Sequence, residues 1–328
     1  MNFSFENGLV FEKNFAIDPG RANGFENVII THAHADHVCL NSKSNFFFSR
    51  QTHSLIESRY EKVANAKAKE FKQKFSMPFG EISLHNSGHI LGSSQVLVEG
   101  KEKTVAITSD FKLQDSLVQK KAEILPCDSL VIESTFGLPC YKFPERKAVY
   151  EEIAKWILDK TKKSFVVLAG YSLGKAQELT AVCTQLAGIS PVVHESIFKN
   201  NKVYESFGVK LGDYLKLDHN LKDSNVLIMP PSLAKPELLN ILEETLHKKI
   251  FSAFATGWQN RGNYSKIFPL SDHADFEQLL VYVKEAKPKQ VFTMHGHSRE
   301  FAGYVQRRLG IPARPLEESP QKSLQEFF

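Results

Sequence analysis

Short apolar runs in this chain repeatedly end on a side chain that can carry a proton or bind a metal. That pattern restricts the fold more than any bulk property. Asp18 follows "NFAI", His32 follows "NVIIT", Asp110 follows "TVAITS", Glu133 follows "SLVI" and His295 follows "QVFTM". His89 departs slightly, preceding its run in "SGHILGSSQVLV". A strand holds such a residue rigidly, while the loop beyond it leaves the side chain accessible. Scattered core or surface residues would have no reason to share one kind of position so often.

The apolar runs at 15–17, 27–30, 95–98, 104–108, 129–132, 164–169, 225–229 and 290–293 predict strands. Amphipathic stretches at 52–71, 145–160, 176–186, 238–246 and 276–286 predict helices between them. Asp275 and Gln278 are spaced like a capping box at the start of the last one. Such alternation implies an α/β or layered α+β architecture. A length of 328 residues calls for about two domains. No repeat, low-complexity tract or Pro/Gly/Ser-rich linker marks a boundary.

Composition mainly excludes. With 42% hydrophobic and 24% charged residues the chain reads as an ordinary globular protein. It has no apolar run of about 18 residues to span a membrane. The segment "MNFSFENGLVFEKN" has no apolar signal core, so a cytoplasmic location is expected. Cys39, Cys127, Cys140 and Cys183 form no C-x-x-C pair, which argues against a disulfide scaffold or zinc ribbon and for reduced thiols. Cys39 lies near the histidines and is expected to be a small buried thiol. The formal charge of +4 permits a polyanionic partner without requiring one.

"HAHADH" places His32, His34, Asp36 and His37 directly after an apolar run. In an extended segment, H-x-H turns both imidazoles to one side, and Asp36 with His37 can then turn toward a second point. Neutral imidazole suits zinc or manganese, and a carboxylate can join either ion or bridge two. A polar surface loop would not need four such donors so close together.

These residues resemble the H-x-H-x-D-H signature of the metallo-β-lactamase fold, with Asp18 upstream, His89 in "SGHILGS" and Asp110 in "TSDF" following in order. Within that superfamily the chain is similar to the β-CASP nucleic-acid nucleases. Glu133 in "ESTFG" would be their motif A acid, His273 in "SDHAD" their motif B histidine and His295 in "MHGH" their motif C histidine. "ESTFGLPCYKFP", "GYSLGKAQEL", "FATGW" and "LSDHADF" look like the bacterial ligase-associated DNA exonucleases, and the resemblance covers nearly the whole chain.

The resemblance implies an αββα catalytic domain (residues 1–137 and 266–328) with a β-CASP α/β domain inserted at 138–265. It also implies two divalent ions, Zn²⁺ or Mn²⁺. His32, His34 and His89 would hold one, Asp36, His37 and His295 the other, and Asp110 would bridge them. Asp18 would orient ligands by hydrogen bonds. A metal-bridged hydroxide would attack phosphorus, and the ions would offset the charge on the phosphate oxygens. His273 would protonate the leaving group or contact the phosphate, and Glu133 would orient its imidazole; Asp36, Asp110, Glu133 and His273 would form the catalytic set. The implied activity is a DNA exonuclease of repair, working 5′ to 3′ on single-stranded ends beside an ATP-dependent DNA ligase or a helicase. The alternative is an RNA nuclease like those of mRNA 3′-end processing, which His295 at motif C favours. A non-catalytic nucleic-acid-binding homologue should have lost ligands, and none is lost here.

Other features carry less. Gly170, Gly174 and Lys175 sit between a predicted strand and helix, but three residues separate the glycines and Ala176 follows the lysine, so this is not a Walker A loop. Ser172, Gly174 and Lys175 could instead meet a nucleic-acid phosphate at a helix start. The lysines of 62–75 fit a solvated amphipathic helix or a phosphate track. Trp258 with Arg261 could stack on a base or pack in the core, and Tyr141 and Phe143 could line a substrate groove.

Overall fold

The computed structural model describes residues 3–5, 8–11, 14–60, 62–218, 221–258 and 262–316. The chain forms two compact units. One comprises Met1–Gln114, Lys120–Lys142 and His273–Phe328; the other comprises Asp115–Gln119 and Phe143–Asp272. The sequence reading put the edges at 137 and 266, whereas the chain leaves the first unit after Lys142 and re-enters it at His273. The short 115–119 segment belongs to the second unit because Leu117 packs against that unit's core.

The first sheet of the first unit runs in chain order: β1 (Phe3–Phe5), β2 (Leu9–Phe11), β3 (Phe15–Ile17), β4 (Asn27–Ile29), β5 (Asn45–Ser49) and, after helix α1 (Arg50–Arg59), β6 (Ala66–Lys69). Pairing is antiparallel up to β3 and parallel from β3 to β6. The second sheet starts with β7 (Phe75–Met77), β8 (Gly80–Asn86), β9 (Ser94–Glu99), β10 (Thr104–Ile107) and β11 (Ser129–Glu133).

The chain then builds the second unit. It contains α2 (Arg146–Lys160), β12 (Phe165–Ala169), α3 (Lys175–Ala181), β13 (Val192–Val193), α4 (Glu195–Ser206), β14 (Leu215–Lys216), β15 (Val226–Met229), α5 (Pro236–Leu246), β16 (Ile250–Thr256) and β17 (Lys266–Pro269). Its sheet is parallel throughout, in the order β14-β13-β15-β12-β16-β17. Parallel strands covered on both faces read as continuous apolar runs, and β12 ("FVVLA") and β15 ("VLIM") are wholly buried.

On return, α6 (Phe276–Ala286), β18 (Gln290–Met294), α7 (Ser298–Leu309) and β19 (Ala313–Pro315) complete the second sheet as β19-β18-β11-β10-β9-β8-β7. Phe11, Phe15, Ile17 and Ile29 of the first sheet share one core with Leu84, Val96, Ile107, Val131 and Phe292 of the second. The outer face of the second sheet packs on Phe276, Leu279, Tyr282 and Val283 of α6 and on Phe301 and Val305 of α7. Leu55 and Ile56 of α1 are buried on the other side, where His53 stacks on Phe48 at 4.7 Å. The first unit is thus the expected αββα layering.

One helix differs from expectation. The stretch 52–71 is not continuous: α1 ends at Arg59, Tyr60 is extended, and "AKAK" forms β6 against β5. Period-two alternation of lysines suits the exposed side of an edge strand, and backbone pairing outweighs the helix propensity of Ala and Lys. The capping box is half formed. Asp275 accepts from the Gln278 backbone amide at 2.9 Å, but the Gln278 side chain is turned to the Leu113 amide, from which its Oε1 accepts at 3.3 Å. Among the described residues no helix is long and apolar enough to cross a membrane.

Candidate metal centre

Parallel pairing explains why polar residues at strand ends gather. In the second sheet β10, β11 and β18 run parallel, with Ile107 opposite Val131 and Glu133 opposite Met294. Asp110, Glu133 and His295 therefore leave the sheet at the same edge. In the first sheet Ile17 lies opposite Ile29, which brings Asp18 and the residues after β4 out together. Three of these exits use left-handed backbone at non-glycine residues: Asp18 (φ 45°), Ser109 (φ 50°) and His295 (φ 60°). Such strain is kept only where the surroundings enforce it. After His295 the chain passes Gly296 (φ 53°), where an added Cβ would lie 2.4 Å from the Thr135 Cα.

One donor set is close-knit. His34 Nδ1 lies 3.1 Å from His32 Nε2 and 3.0 Å from His89 Nε2. Asp110 Oδ2 is 3.6 Å from His32 Nε2 and 3.7 Å from both His89 Nε2 and His37 Nε2. Ligand atoms on a tetrahedral zinc, at bonds of about 2.0–2.1 Å, are separated by about 3.3 Å. His34 Nδ1 cannot satisfy two facing ring nitrogens by itself, so the convergence fits a shared cation. His32, His34, His89 and Asp110 place their ligand atoms within 4.8 Å of one another.

A second set is looser. His37 Nε2 faces Asp110 Oδ2 at 3.7 Å and Asp36 Oδ2 at 3.8 Å, and the His295 ring centroid is 6.0 Å from that of His37. Asp36 is the exposed member, with 81% of its side chain accessible. Asp18 Oδ2 takes the other nitrogen of His37 at 2.9 Å, which directs Nε2 toward Asp110.

Thr31 and Ser109 were missed in the sequence and matter here. The Thr31 amide donates to Asp18 Oδ1 at 2.8 Å, and its hydroxyl touches Asp18 Oδ2 at 2.5 Å, Ser109 Oγ at 2.6 Å and His32 Nδ1 at 3.1 Å. Their only signal was adjacency to ligand candidates in "THAH" and "TSDF".

Electrostatics sort the protons. Burial drives His32 well below the usual imidazole range, with His37 adding to the effect, so His32 presents a neutral lone pair. Burial also opposes charge on Asp110, but the imidazoles of His273, His37, His89 and His32 outweigh it and hold the carboxyl well below its usual range. At His37 burial again works against charge, yet Asp18, Asp110 and Asp36 raise it to about 10. A cation binding there must displace that proton. Burial, with Asp18, pushes the Cys39 thiol up to about 12, so it stays protonated as the expected bystander.

Beside these donors, Glu133 is fully buried. Its Oε1 accepts from the Phe111 amide at 3.1 Å and from His273 Nδ1 at 3.0 Å, and Oε2 accepts from the Thr135 amide at 3.2 Å. The His273 ring lies 4.7 Å from that of His89 and 6.0 Å from Phe136. Tyr141 packs on Phe136 at 4.9 Å in the same unit, whereas Phe143 belongs to the other.

The helix start in "GYSLGK", expected to meet a phosphate, makes contacts of its own inside the protein. The Gly174 amide donates to Gln177 Oε1 at 2.7 Å, and the Ser172 carbonyl accepts from Asn200 at 2.7 Å. Lys175 is 2% exposed, with its ammonium 2.8 Å from Asp272 Oδ1 and 3.6 Å from Glu178 Oε2. The Gly174 amide and the Lys175 ammonium thus have partners inside the protein. Lysines 67 and 69 lie on an edge strand, Trp258 is half-buried, and Arg261 lies outside the described residues.

Comparison with known proteins adds to the geometry. The family described as "Zn-dependent metallo-hydrolase RNA specificity domain" matches residues 266–314. A probable DNA ligase of Opitutus terrae is 32% identical over 90% of this chain, and the chain spans 29% of that protein's length. The RNase aCSPSF2 of Saccharolobus solfataricus is 24% identical over 93% of this chain and 76% of its own. An RNase J-like protein of Methanocaldococcus jannaschii is 24% identical over 87% of this chain and 85% of its own. The layering, the imidazole–carboxylate convergence and these relatives together support a metallo-β-lactamase β-CASP nuclease family for this chain.

Proposed function

We propose that the protein is a dinuclear metal-dependent phosphodiesterase that trims DNA from single-stranded 5′ ends during repair. The observation that carries the reading is the Glu133–His273 pair set beside Asp110 and the histidine donors. Hydrolysis of a small neutral substrate would not need it.

His32, His34 and His89 would hold one ion, and Asp36, His37 and His295 the other, with Asp110 shared. Zn²⁺ and Mn²⁺ both suit this donor set. When bound, the ions supply Lewis acidity, lowering the pKa of the attacking water and offsetting phosphate charge. Asp18 keeps His37 in the tautomer that offers Nε2. Glu133 holds His273 by Nδ1 and favours its charged form, which leaves Nε2 as the proton donor to the leaving oxygen or as a phosphate contact.

The name of the Opitutus relative, a probable DNA ligase, supports DNA and a role beside a ligase. The names of the archaeal relatives and of the matching family support a second reading, an RNA nuclease. End-labelled single-stranded DNA and RNA of matched sequence, incubated with Mn²⁺, Zn²⁺ or EDTA, separate the two. DNA cleavage that needs metal and is lost in Asp110→Ala is expected. Faster RNA turnover would establish the second reading. No cleavage of either polymer with any metal would refute both, and the labelled first product reports polarity.

A further inference from the structure

Within the first unit, helix α1 meets both loops that carry the close-knit donors. At its start Ser49 caps it, the hydroxyl accepting from the Thr52 amide at 3.0 Å. That hydroxyl also donates to the Gly92 carbonyl at 2.7 Å, and the Thr52 hydroxyl donates to the same carbonyl at 2.8 Å. The Ser94 hydroxyl is a third donor, at 3.1 Å, and all three residues are fully buried. Gly92 lies three residues after His89. A Cβ added there would stand 2.6 Å from both Gln51 Cβ and the Thr52 nitrogen, so loop and helix start are in close contact.

The other end of the helix reaches the second loop. Arg59 is the last residue of α1, and a ten-residue helix is about 15 Å long. Arg59 Nη1 donates to the carbonyl of Ala33, the buried residue between His32 and His34. Because a peptide is planar, holding the Ala33 carbonyl also fixes the Cα of His34. The fit it serves is tight. His34 Nδ1 stands 3.1 Å from His32 Nε2 and 3.0 Å from His89 Nε2, although His89 comes from a loop 55 residues downstream. The Ser94 amide, donating to the Thr31 carbonyl at 2.9 Å, ties the two loops at their base. Helix α1 ties them a second time, one loop at each end.

We propose that α1 braces the two ligand loops, and that Arg59 is a positioning residue for the ion held by His32, His34 and His89. The inference rests on the reading of these histidines as metal ligands. Arg59 acts through the peptide that carries His34.

Binding of Zn²⁺ and of Mn²⁺ to the metal-free full chain tests it, by competition with a chromophoric chelator and without nucleic acid. Wild type, Arg59→Met, Arg59→Lys and Arg50→Met are compared. Arg59→Met keeps an apolar stem and loses the donor. Its metal affinity should fall about 10–100-fold, the scale of a contact that orients a ligand. Arg59→Lys should recover most of the loss, since an ammonium can replace the one nitrogen that makes the bond. Arg50, at the start of the same helix, pairs with exposed Glu70 at 2.8 Å, and Arg50→Met should bind metal like wild type. Urea unfolding of the metal-free proteins separates positioning from stability. A lower midpoint in Arg59→Met with wild-type metal affinity would mean that Arg59 only satisfies a buried carbonyl, and would overturn the proposal. A loss that Arg59→Lys does not recover, or that Arg50→Met shares, would overturn it too. Should Arg59→Met not fold, Arg59→Gln takes its place with the same expectations. A wild type that binds neither ion refutes the metal reading itself, whereas tight wild-type binding that Arg59→Met matches refutes the brace alone.

Discussion

Glu133 Oε1 and His273 Nδ1 meet at 3.0 Å although 140 residues separate them in sequence. The acid is the last residue of β11 and the histidine lies just before α6, so the pair forms only when the chain re-enters its first unit. Replacing Glu133 with Gln keeps the size and removes the carboxylate that meets His273 Nδ1. The expected result is a kcat at least about 100-fold lower with KM little changed, in line with loss of general acid–base catalysis. The amide group would also face the Thr135 amide, destabilising the fold by about 1–3 kcal/mol. Steady-state kinetics and urea unfolding check both, and wild-type kcat in Glu133→Gln would remove the acid from the mechanism.

Asp18 acts through His37. Asp18→Asn loses the charge that fixes the His37 tautomer, so metal affinity should fall about 10–100-fold without loss of fold. Competition with a chromophoric chelator measures it. Equal affinity in variant and wild type would mean that His37 is not a ligand.

Gly296 lets the chain turn away after His295. Gly296→Ala would bring a methyl group against the Thr135 backbone at a φ that favours glycine, costing about 1–3 kcal/mol. Thermal unfolding should show the drop, and activity should fall further than the unfolded fraction explains because His295 moves with the turn. A variant with wild-type stability would show that the turn relaxes freely.

Acid stability depends in part on Asp128. Its carboxylate is hydrogen-bonded to Lys289, to the Thr104 amide at 2.9 Å and to the Thr104 hydroxyl at 3.0 Å, which holds its pKa down to about 2. A carboxylate depressed on folding contributes stability that is complete above its unfolded value near 3.9 and disappears as pH falls through its folded value. Asp128→Asn should therefore cost about 1 kcal/mol at pH 6, with the difference from wild type closing toward pH 2. Lys289 is largely exposed, so added salt should narrow the gap by screening that ion pair. Urea titrations from pH 2 to pH 6 decide it; a gap that persists at pH 2 would place the effect outside this carboxylate.

Much of the site was legible because its residues sit where periodicity breaks. "HAHADH" reads as ligands from spacing alone, and Asp110, Glu133 and His295 stand out as polar residues closing apolar runs. Thr31 and Ser109 did not, since a hydroxyl beside a ligand looks the same in sequence whether it faces water or orients an imidazole. The surroundings of Lys175 were hidden for a related reason. A lysine after a glycine at a helix start suits a phosphate, and only the packed unit shows Asp272 and Glu178 already around its ammonium. The stretch 66–69 departs from expectation because its local propensity is helical, while its pairing along the edge of β5 is a tertiary fact.

The sequence by itself determined the donor types and the layered α/β class, and its resemblance to the β-CASP nucleases pointed to Glu133 and His273 beside the donors. The first two follow from local spacing and side-chain chemistry, which survive without coordinates. Only the tertiary structure decided that Asp110 Oδ2 stands 3.6–3.7 Å from three imidazoles, that Asp18, Asp110 and Asp36 gather around His37, and which groups surround Lys175. Distances between strand ends are set by sheet register, and proton positions by burial and neighbouring charge; both belong to the packed chain.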